Sequence, residues 1–377
     1  MIAPLSISRL RLTDFRNYAA LDLVLDVRCV AFAGPNGAGK TNLLEAISLL
    51  APGRGLRRAA LPDIVRAGAP AWGVGATLLR GGEEVEVATG SVQEAPNSRV
   101  VRIDGAAAPQ TALGALAPMV WLTPAQDRLF AGPPGDRRRF LDRFALAAFP
   151  DHGAVCSRYE RALRDRQRLL DETRASGVGA DLAWLDALEA ELALRGAEIA
   201  RARAETVRRL AHAIAARPEG AFPRARMALA GDLEQRFTDG AAAADVEADY
   251  RAALARSRGR DAAAGRTLIG PHRTDLEVFY AAKDQPAALC STGEQKALLT
   301  GIVLAHASAL ARNGPAPLVL LDEAAAHLDP DRRAALAGEL QALKVQAFLT
   351  GVERRLFEGF GSSVQLFAVD AGAVIPA

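Results

Sequence analysis

Eight residues, Gly34-Pro-Asn-Gly-Ala-Gly39-Lys40-Thr41, constrain this chain more than any other stretch. They follow a short apolar run, Cys29-Val-Ala-Phe-Ala33, and precede residues 42–50, where Leu43, Leu44, Ile47 and Leu50 share one helical face. An apolar run that stops at glycine suits a buried strand. Strand, glycine loop, helix is the setting in which G-x-x-x-x-G-K-[ST] binds phosphate. Glycine lets backbone N–H groups turn inward on the α- and β-phosphates, at a helix N-terminus that already favours anions. Gly34, Pro35, Asn36, Gly37, Ala38, Gly39, Lys40 and Thr41 are therefore expected to hold ATP. Lys40 would stand between the β- and γ-phosphates, and the Thr41 hydroxyl would ligate Mg²⁺. The plainer alternative, a glycine turn with an exposed lysine, explains neither the strand before it nor the helix after it.

A second apolar run, Leu318-Val-Leu-Leu321, ends in Asp322 and Glu323. Strands often end in acids, so the pair signifies little alone. With the loop above it, Asp322 is expected to hold the Mg²⁺ shell and Glu323 to orient or deprotonate an attacking water. Ahead of this strand, Ser291-Thr-Gly-Glu-Gln295 opens a helix. Ser291 and Glu294 have capping-box spacing, which is the ordinary reading. The same serine and Gly293 also suit a second phosphate receptor. The order of loop, Ser291 segment, acidic strand and Ala326-His-Leu-Asp329 resembles that of ABC-type ATPases, in which the second receptor serves the partner subunit.

With 377 residues, half of them apolar and 24% charged, the chain holds one large domain or two ordinary ones. A formal charge of +2 means that nucleic-acid binding would need a local patch. No apolar stretch is long enough for a membrane span, and the N-terminus lacks the pattern of a secretion signal. Cys29, Cys156 and Cys290 are widely spaced and suit buried thiols in a reducing cytoplasm. Only Lys40, Lys283, Lys296 and Lys344 are lysines, a bias that GC-rich coding explains.

Strands are expected at Ile7–Leu12, Leu21–Val27, Val74–Leu79, Val85–Val87 and Val100–Ile103, with a hairpin turn at Asp104-Gly105. From Pro124 to Arg266 the composition turns to Ala, Leu, Arg and Glu, which predicts helices. Segments 155–173 and 181–217 would form a hairpin broken at Gly177-Val-Gly179. Strand and helix alternate again from Thr267, with strands at Ala287–Cys290, Leu318–Leu321 and Ala347–Thr350 and helices at 293–312 and 330–343. The expected architecture is an α/β ATPase-like core split by a helical insertion, with lobes 1–123, 124–266 and 267–377.

Five segments together resemble the RecF family of DNA repair and recombination proteins, relatives of the SMC proteins. They are Leu12-Thr-Asp-Phe-Arg-Asn-Tyr18, Lys40-Thr-Asn-Leu-Leu-Glu-Ala46, Gly132-Pro-Pro-Gly-Asp-Arg-Arg-Arg-Phe-Leu-Asp142, Gly270-Pro-His-Arg-Thr-Asp-Leu276 and Leu321–Leu336. The third and fourth are the specific ones, since generic transport ATPases lack them. The resemblance implies an ABC-type P-loop ATPase head, a mixed sheet with an antiparallel β-subdomain, carrying an α-helical insertion lobe. It implies an ATP-dependent homodimer that binds double-stranded DNA at single-strand/duplex junctions. RecR would be its partner, with RecO and RecA in the same pathway, and no membrane would be involved. Arg54, Arg57 and Arg58, then Arg137 and Arg138, become candidate DNA contacts. Gln126 becomes a candidate sensor of Mg²⁺ and water. Thr350 stands where transporter ATPases place a switch histidine, so slow hydrolysis is expected. Two other readings compete. A transporter ATPase subunit has no use for the Gly270 segment, and a long-armed SMC protein does not fit an insertion this short.

Overall fold

Three strands of the central sheet are apolar but for one threonine because both of their faces are covered. They are β3 (Cys29–Ala33), β12 (Leu318–Leu321) and β13 (Ala347–Gly351), and every residue in them is buried. The computed structural model describes residues 5–176 and 181–377. Within it the chain divides into two compact units. The first comprises Met1–Arg128, His212–Ala225 and Tyr280–Ala377, and the second Leu129–Ala211 and Arg226–Phe279.

The first unit holds two six-stranded sheets. One is antiparallel, built from β1 (Ser6–Phe15), β2 (Tyr18–Val24), β4 (Gly73–Arg80), β5 (Glu83–Val92), β6 (Ala95–Ile103) and β7 (Ala106–Ala107), in the order β2-β1-β4-β5-β6-β7. Asp104 and Gly105 connect β6 to β7 with φ of +48° and +78°, the left-handed pair that a two-residue hairpin requires. The other sheet contains β8 (Met119–Leu122), β14 (Val364–Asp370) and β15 (Ala373–Pro376) beside the three buried strands, in the order β15-β14-β3-β13-β12-β8. Only β15 runs antiparallel there. Helix α1 (Lys40–Ser48) follows β3, the short α2 (Ala112–Leu116) precedes β8, and α8 (Thr292–Asn313) and α9 (Pro330–Leu343) flank β12 in sequence. One apolar core joins the sheets through Ile7, Leu10, Phe32, Leu43, Ile47, Leu320 and Phe348, all buried.

The second unit is mainly helical: α3 (Pro134–Ala148), α4 (His152–Ser176), most of α5 (Leu182–Ala216), α6 (Asp232–Thr238) and α7 (Ala243–Ala264). Its core gathers Tyr159, Leu192, Ile199, Tyr250 and Leu254. The fully buried Arg166 is neutralised there by Glu189 and Asp261 at 3.0 and 2.8 Å. The expected break at Gly177–Gly179 lies outside the described residues.

The strands β8, β14 and β15 were not expected from the sequence, β2 ends at Val24 and not Val27, and three further features depart from expectation. The helical stretch contains β9 (Ala225–Ala230), paired with β10 (Asp275–Tyr280). Ala225–Ala230 has no β-branched residue, so its pairing comes from a partner far along the chain and not from propensity. Ala287–Cys290 is no strand; Ala287–Leu289 forms a 3₁₀ turn closed by Cys290 N–H on Ala287 C=O, 3.2 Å. The units also divide differently from lobes 1–123, 124–266 and 267–377. Residues 267–279 stay with the helices because the Gly270 segment is bonded into them: His272 Nδ1 lies 2.8 Å from the Tyr159 hydroxyl, and the Tyr250 hydroxyl donates to Ile269 O at 3.2 Å. Gly270 adopts φ +123°, and a Cβ there would overlap the Tyr250 hydroxyl, so no other residue fits that turn.

Candidate nucleotide-binding site

The glycine loop is held from beneath by the turn between β1 and β2. The Tyr18 hydroxyl donates to Gly39 O at 3.1 Å, and Asn17 Nδ2 donates to Ala38 O at 3.3 Å. Gly39 takes φ +111°, and a Cβ there would stand 2.7 Å from the Tyr18 oxygen. The loop's first amide, Gly34 N–H, is tied to Gly351 O at the end of β13, 3.1 Å. Lys40 begins α1 and is buried. Its ammonium donates to Gly34 O at 2.7 Å and Pro35 O at 2.8 Å, which leaves one of its three protons for another acceptor. Desolvation lowers its pKa, while the charges of Glu323 and Asp322 work the other way.

Parallel pairing carries the acids to the same edge. β12 lies between β13 and β8, with Leu321 opposite both Leu349 and Leu122. The residues that follow, Asp322, Thr350 and Thr123, therefore emerge together. Asp322 Oδ1 accepts from Thr41 Oγ1 at 3.0 Å and from Thr350 Oγ1 at 2.8 Å. Burial raises the Asp322 pKa against those two hydrogen bonds. Glu323 sits at φ +53° and ψ +13°, a left-handed conformation that an ordinary residue holds at a cost of about 1–3 kcal/mol. Its N–H donates to Thr350 Oγ1 at 2.8 Å. One fully buried hydroxyl thus orients the first carboxylate and fixes the backbone of the second. The sequence marked Thr350 only as standing where transporter ATPases place a switch histidine; its bonds to Asp322 and to Glu323 N–H depend on register and were not legible.

Thr41 and Asp322 offer a hydroxyl and a carboxylate oxygen 3.0 Å apart, a hard-oxygen donor pair that fits Mg²⁺. Gln126 is placed differently from its expected role. Its Oε1 accepts from Thr123 N–H at 3.0 Å in a capping box, so reaching a metal would require that cap to open.

Ser291 caps α8. Its Oγ accepts from Glu294 N–H at 3.4 Å and donates to Glu294 Oε2 at 2.9 Å. Lys283 pairs with Glu294, and these bonds hold the Glu294 carboxyl down at about 2. The capping-box reading therefore holds. A phosphate could take the Ser291 hydroxyl only in exchange for its bond to Glu294. Gly293, beside it, has open space around its Cα.

Arg54, Arg57 and Arg58 lie in the turn after α1, and all three are exposed. Arg57 Nη1 reaches Asn42 Oδ1 at 2.7 Å and Glu45 at 3.3 Å, and the buried Glu45 is also held by Arg16 at 2.7 Å. Arg99 anchors the start of this turn through Gly53 O at 2.7 Å and through Leu49 O. Burial draws the Arg99 guanidinium down to about 10. The second arginine group is committed elsewhere. Arg137 forks onto Asp275 at 2.8 and 2.7 Å, Arg138 donates to Thr274 O at 2.8 Å, and Arg139 pairs with Asp136. In this unit, Arg137 and Arg138 bind the Gly132 motif to the Gly270 motif.

Known proteins share this fold. The family model described as "RecF/RecN/SMC N terminal domain" matches residues 6–374. A DNA replication and repair protein RecF from Mesorhizobium japonicum is 52% identical, covering 100% of this chain and 99% of its own length. Its counterpart from Caulobacter vibrioides is 48% identical over 98% of each chain. Among solved structures, that of the recombination mediator protein RecF-ATPrS in the RecFOR pathway superposes with a TM-score of 0.85. It is 21% identical and covers 100% of this chain and 99% of that one. An Smc head domain from Pyrococcus furiosus, bound to the C-terminal domain of ScpA, gives 0.54 at 17% identity, over 99% and 96% of the two chains.

Proposed function

We propose that this chain, which belongs to the RecF family, is an ATP-gated DNA-binding protein of recombinational repair and replication restart. The observation that carries the reading is the 3.0 Å hydrogen bond between Thr41 and Asp322, which joins the phosphate loop to the acidic strand at one point. There Lys40 and the loop amides would bind the triphosphate, and Thr41 and Asp322 would hold Mg²⁺. The metal supplies charge neutralisation for the β- and γ-phosphates. Glu323, fixed by Thr350, would orient and deprotonate the attacking water. A neutral hydroxyl at Thr350 cannot exchange a proton as imidazole does, which supports slow turnover and ATP used mainly as a switch. Gln126 would enter only on leaving its cap.

Two protomers would close on ATP, with Ser291 and Gly293 of each meeting the partner's γ-phosphate. The closed dimer would hold duplex DNA at single-strand gaps through Arg54, Arg57 and Arg58, and would assist RecA loading with RecO and RecR. The names of the relatives support this repair role, which would place the protein in the cytoplasm. Among the described residues no helix is long and apolar enough to cross a membrane.

Sedimentation of Ser291→Arg tests the shared site. The variant keeps its own loop, so it is expected to bind ATP within about threefold of wild type, a change smaller than about 1 kcal/mol. It is expected to stay monomeric with ATP present; dimerisation like wild type would sink the shared-site mechanism.

The DNA surface has a separate test. Alanine at Arg54, Arg57 and Arg58 together is expected to reduce the slope of log K against log salt by roughly 2–3, about 0.9 for each phosphate no longer neutralised. Binding should weaken alike on all sequences. An unchanged slope in a salt titration on gapped DNA would place the surface elsewhere.

A further inference from the structure

α3 and α4 meet at three side chains that the nucleotide chemistry leaves unused. Asp142 lies on α3, while His152 and Cys156 are one turn apart on α4. His152 Nε2 is 3.0 Å from Asp142 Oδ1 and 3.5 Å from Cys156 Sγ, and the three donor atoms all lie within 4.8 Å of one another. A single ring nitrogen faces both partners. That distinguishes the group from a nucleophilic triad, in which imidazole meets the nucleophile with one nitrogen and the acid with the other. One nitrogen carrying at most one proton also cannot bond well to a thiol and a carboxylate together.

A tetrahedral cation can. With metal–sulfur bonds of about 2.3 Å and metal–nitrogen or metal–oxygen bonds of about 2.0–2.1 Å, the tetrahedron's edges are about 3.5 Å for S···N and about 3.3 Å for N···O. The distances of 3.5 and 3.0 Å lie close to two of those edges, and the third, between Cys156 Sγ and the Asp142 oxygen, is no longer than 4.8 Å and would close to about 3.5 Å on binding.

We propose that Asp142, His152 and Cys156 form a binding site for a thiophilic divalent cation of the zinc class, with water as the fourth ligand. His152 is buried, whereas the Asp142 side chain is 27% exposed and Cys156 is half-buried, so the site opens to solvent on one side. On binding, the thiol gives its proton to solvent and a metal–thiolate bond forms. Arg203 supplies the outer shell. It forks onto the two Asp142 oxygens at 2.8 and 2.9 Å, and each oxygen keeps a lone pair. The same guanidinium binds Glu234 at 3.1 Å and Pro271 O at 2.6 Å. Two carboxylates, Asp142 and Glu234, therefore share the Arg203 guanidinium, and Arg138, one turn before Asp142 on the same helix, also acts on Asp142. The ion would fasten α4 to α3, the helix whose Arg137 and Arg138 hold the Gly270 segment.

Cobalt(II) is the probe, added to full-length protein stripped with a chelator and free of nucleotide. One equivalent is expected to give the intense thiolate-to-cobalt charge-transfer band and the visible bands of a tetrahedral ion, both erased by Zn²⁺. Cobalt at the Thr41–Asp322 site has only oxygen ligands and contributes no thiolate band, so the result is independent of the ATPase reading. Cys156→Ala is expected to lose the band, whereas Cys29→Ala and Cys290→Ala keep it. Zinc affinity in His152→Ala, measured against a chromophoric chelator, should fall by more than the roughly 10–100-fold that loss of an outer-shell partner costs. Absence of the band in the wild type would overturn the site and leave the cluster a hydrogen-bonded link between helices. Persistence of the band in Cys156→Ala would overturn it as well.

Discussion

Lys40→Ala is expected to weaken ATP binding by roughly 30- to 5000-fold in Kd, the range set by about 2–5 kcal/mol for truncating one partner of a buried charged pair. The ammonium is already desolvated and poised on Gly34 O and Pro35 O, so moving it to phosphate exchanges carbonyl partners for charged ones. Lys40→Arg separates binding from chemistry. A guanidinium keeps the charge, but its planar fork is too large for a pocket shaped around a compact ammonium. Affinity should fall modestly and hydrolysis much further. Titration with a fluorescent ATP analogue, alongside phosphate release, reads both. Wild-type turnover in Lys40→Arg would remove Lys40 from its assigned place.

Glu323→Gln is expected to lower kcat by about 10²–10⁴, the usual contribution of a positioned general base, and to leave ATP affinity nearly unchanged. The amide preserves the side chain's size and the backbone N–H bond to Thr350 but cannot take a proton from water. The closed dimer should then persist on gapped DNA for as long as ATP remains, which a chase with competitor DNA measures. Release as fast as wild type would count against Glu323. Thr350→Val makes a useful contrast, because it removes both hydroxyl bonds while retaining both carboxylates. It should lower kcat, and Thr350→Ser should restore it.

Most of the first unit was legible because its signals are local. A glycine loop between an apolar run and an amphipathic helix, and an apolar run ending in two acids, each carry their meaning within a dozen or so residues. The Asp104-Gly105 turn was equally plain. What escaped reading depends on partners distant in sequence. Thr350 acquires its bonds through strand register, and Asn17 and Tyr18 reach the loop because β1 and β2 fold beneath it. The arginines of the Gly132 motif looked like a basic patch until Asp275 and the Thr274 carbonyl met them from the far side of the insertion. Charge on a sequence does not reveal whether a counter-charge waits 138 residues away, as it does for Arg137. The strand Ala225–Ala230 was hidden for a related reason, since alanine-rich residues take the form that their neighbours impose.

The order of strands in the parallel sheet has a consequence for how the protein is made. β3, which leads into the phosphate loop, lies between β13 and β14, and both of these are synthesised long after it. Gln346 closes the same arrangement from the other side, accepting from Ile7 N–H at 2.7 Å and donating to Ile7 O at 3.1 Å. While the ribosome is still adding the second unit, β3 has neither sheet neighbour, and its apolar faces wait on residues not yet translated. Pairings of such long sequence separation form slowly and expose surface meanwhile. The helical unit can gather its own core earlier, since its residues end at Phe279. A chain stopped anywhere before β14 therefore has its loop but an incomplete sheet to hold it.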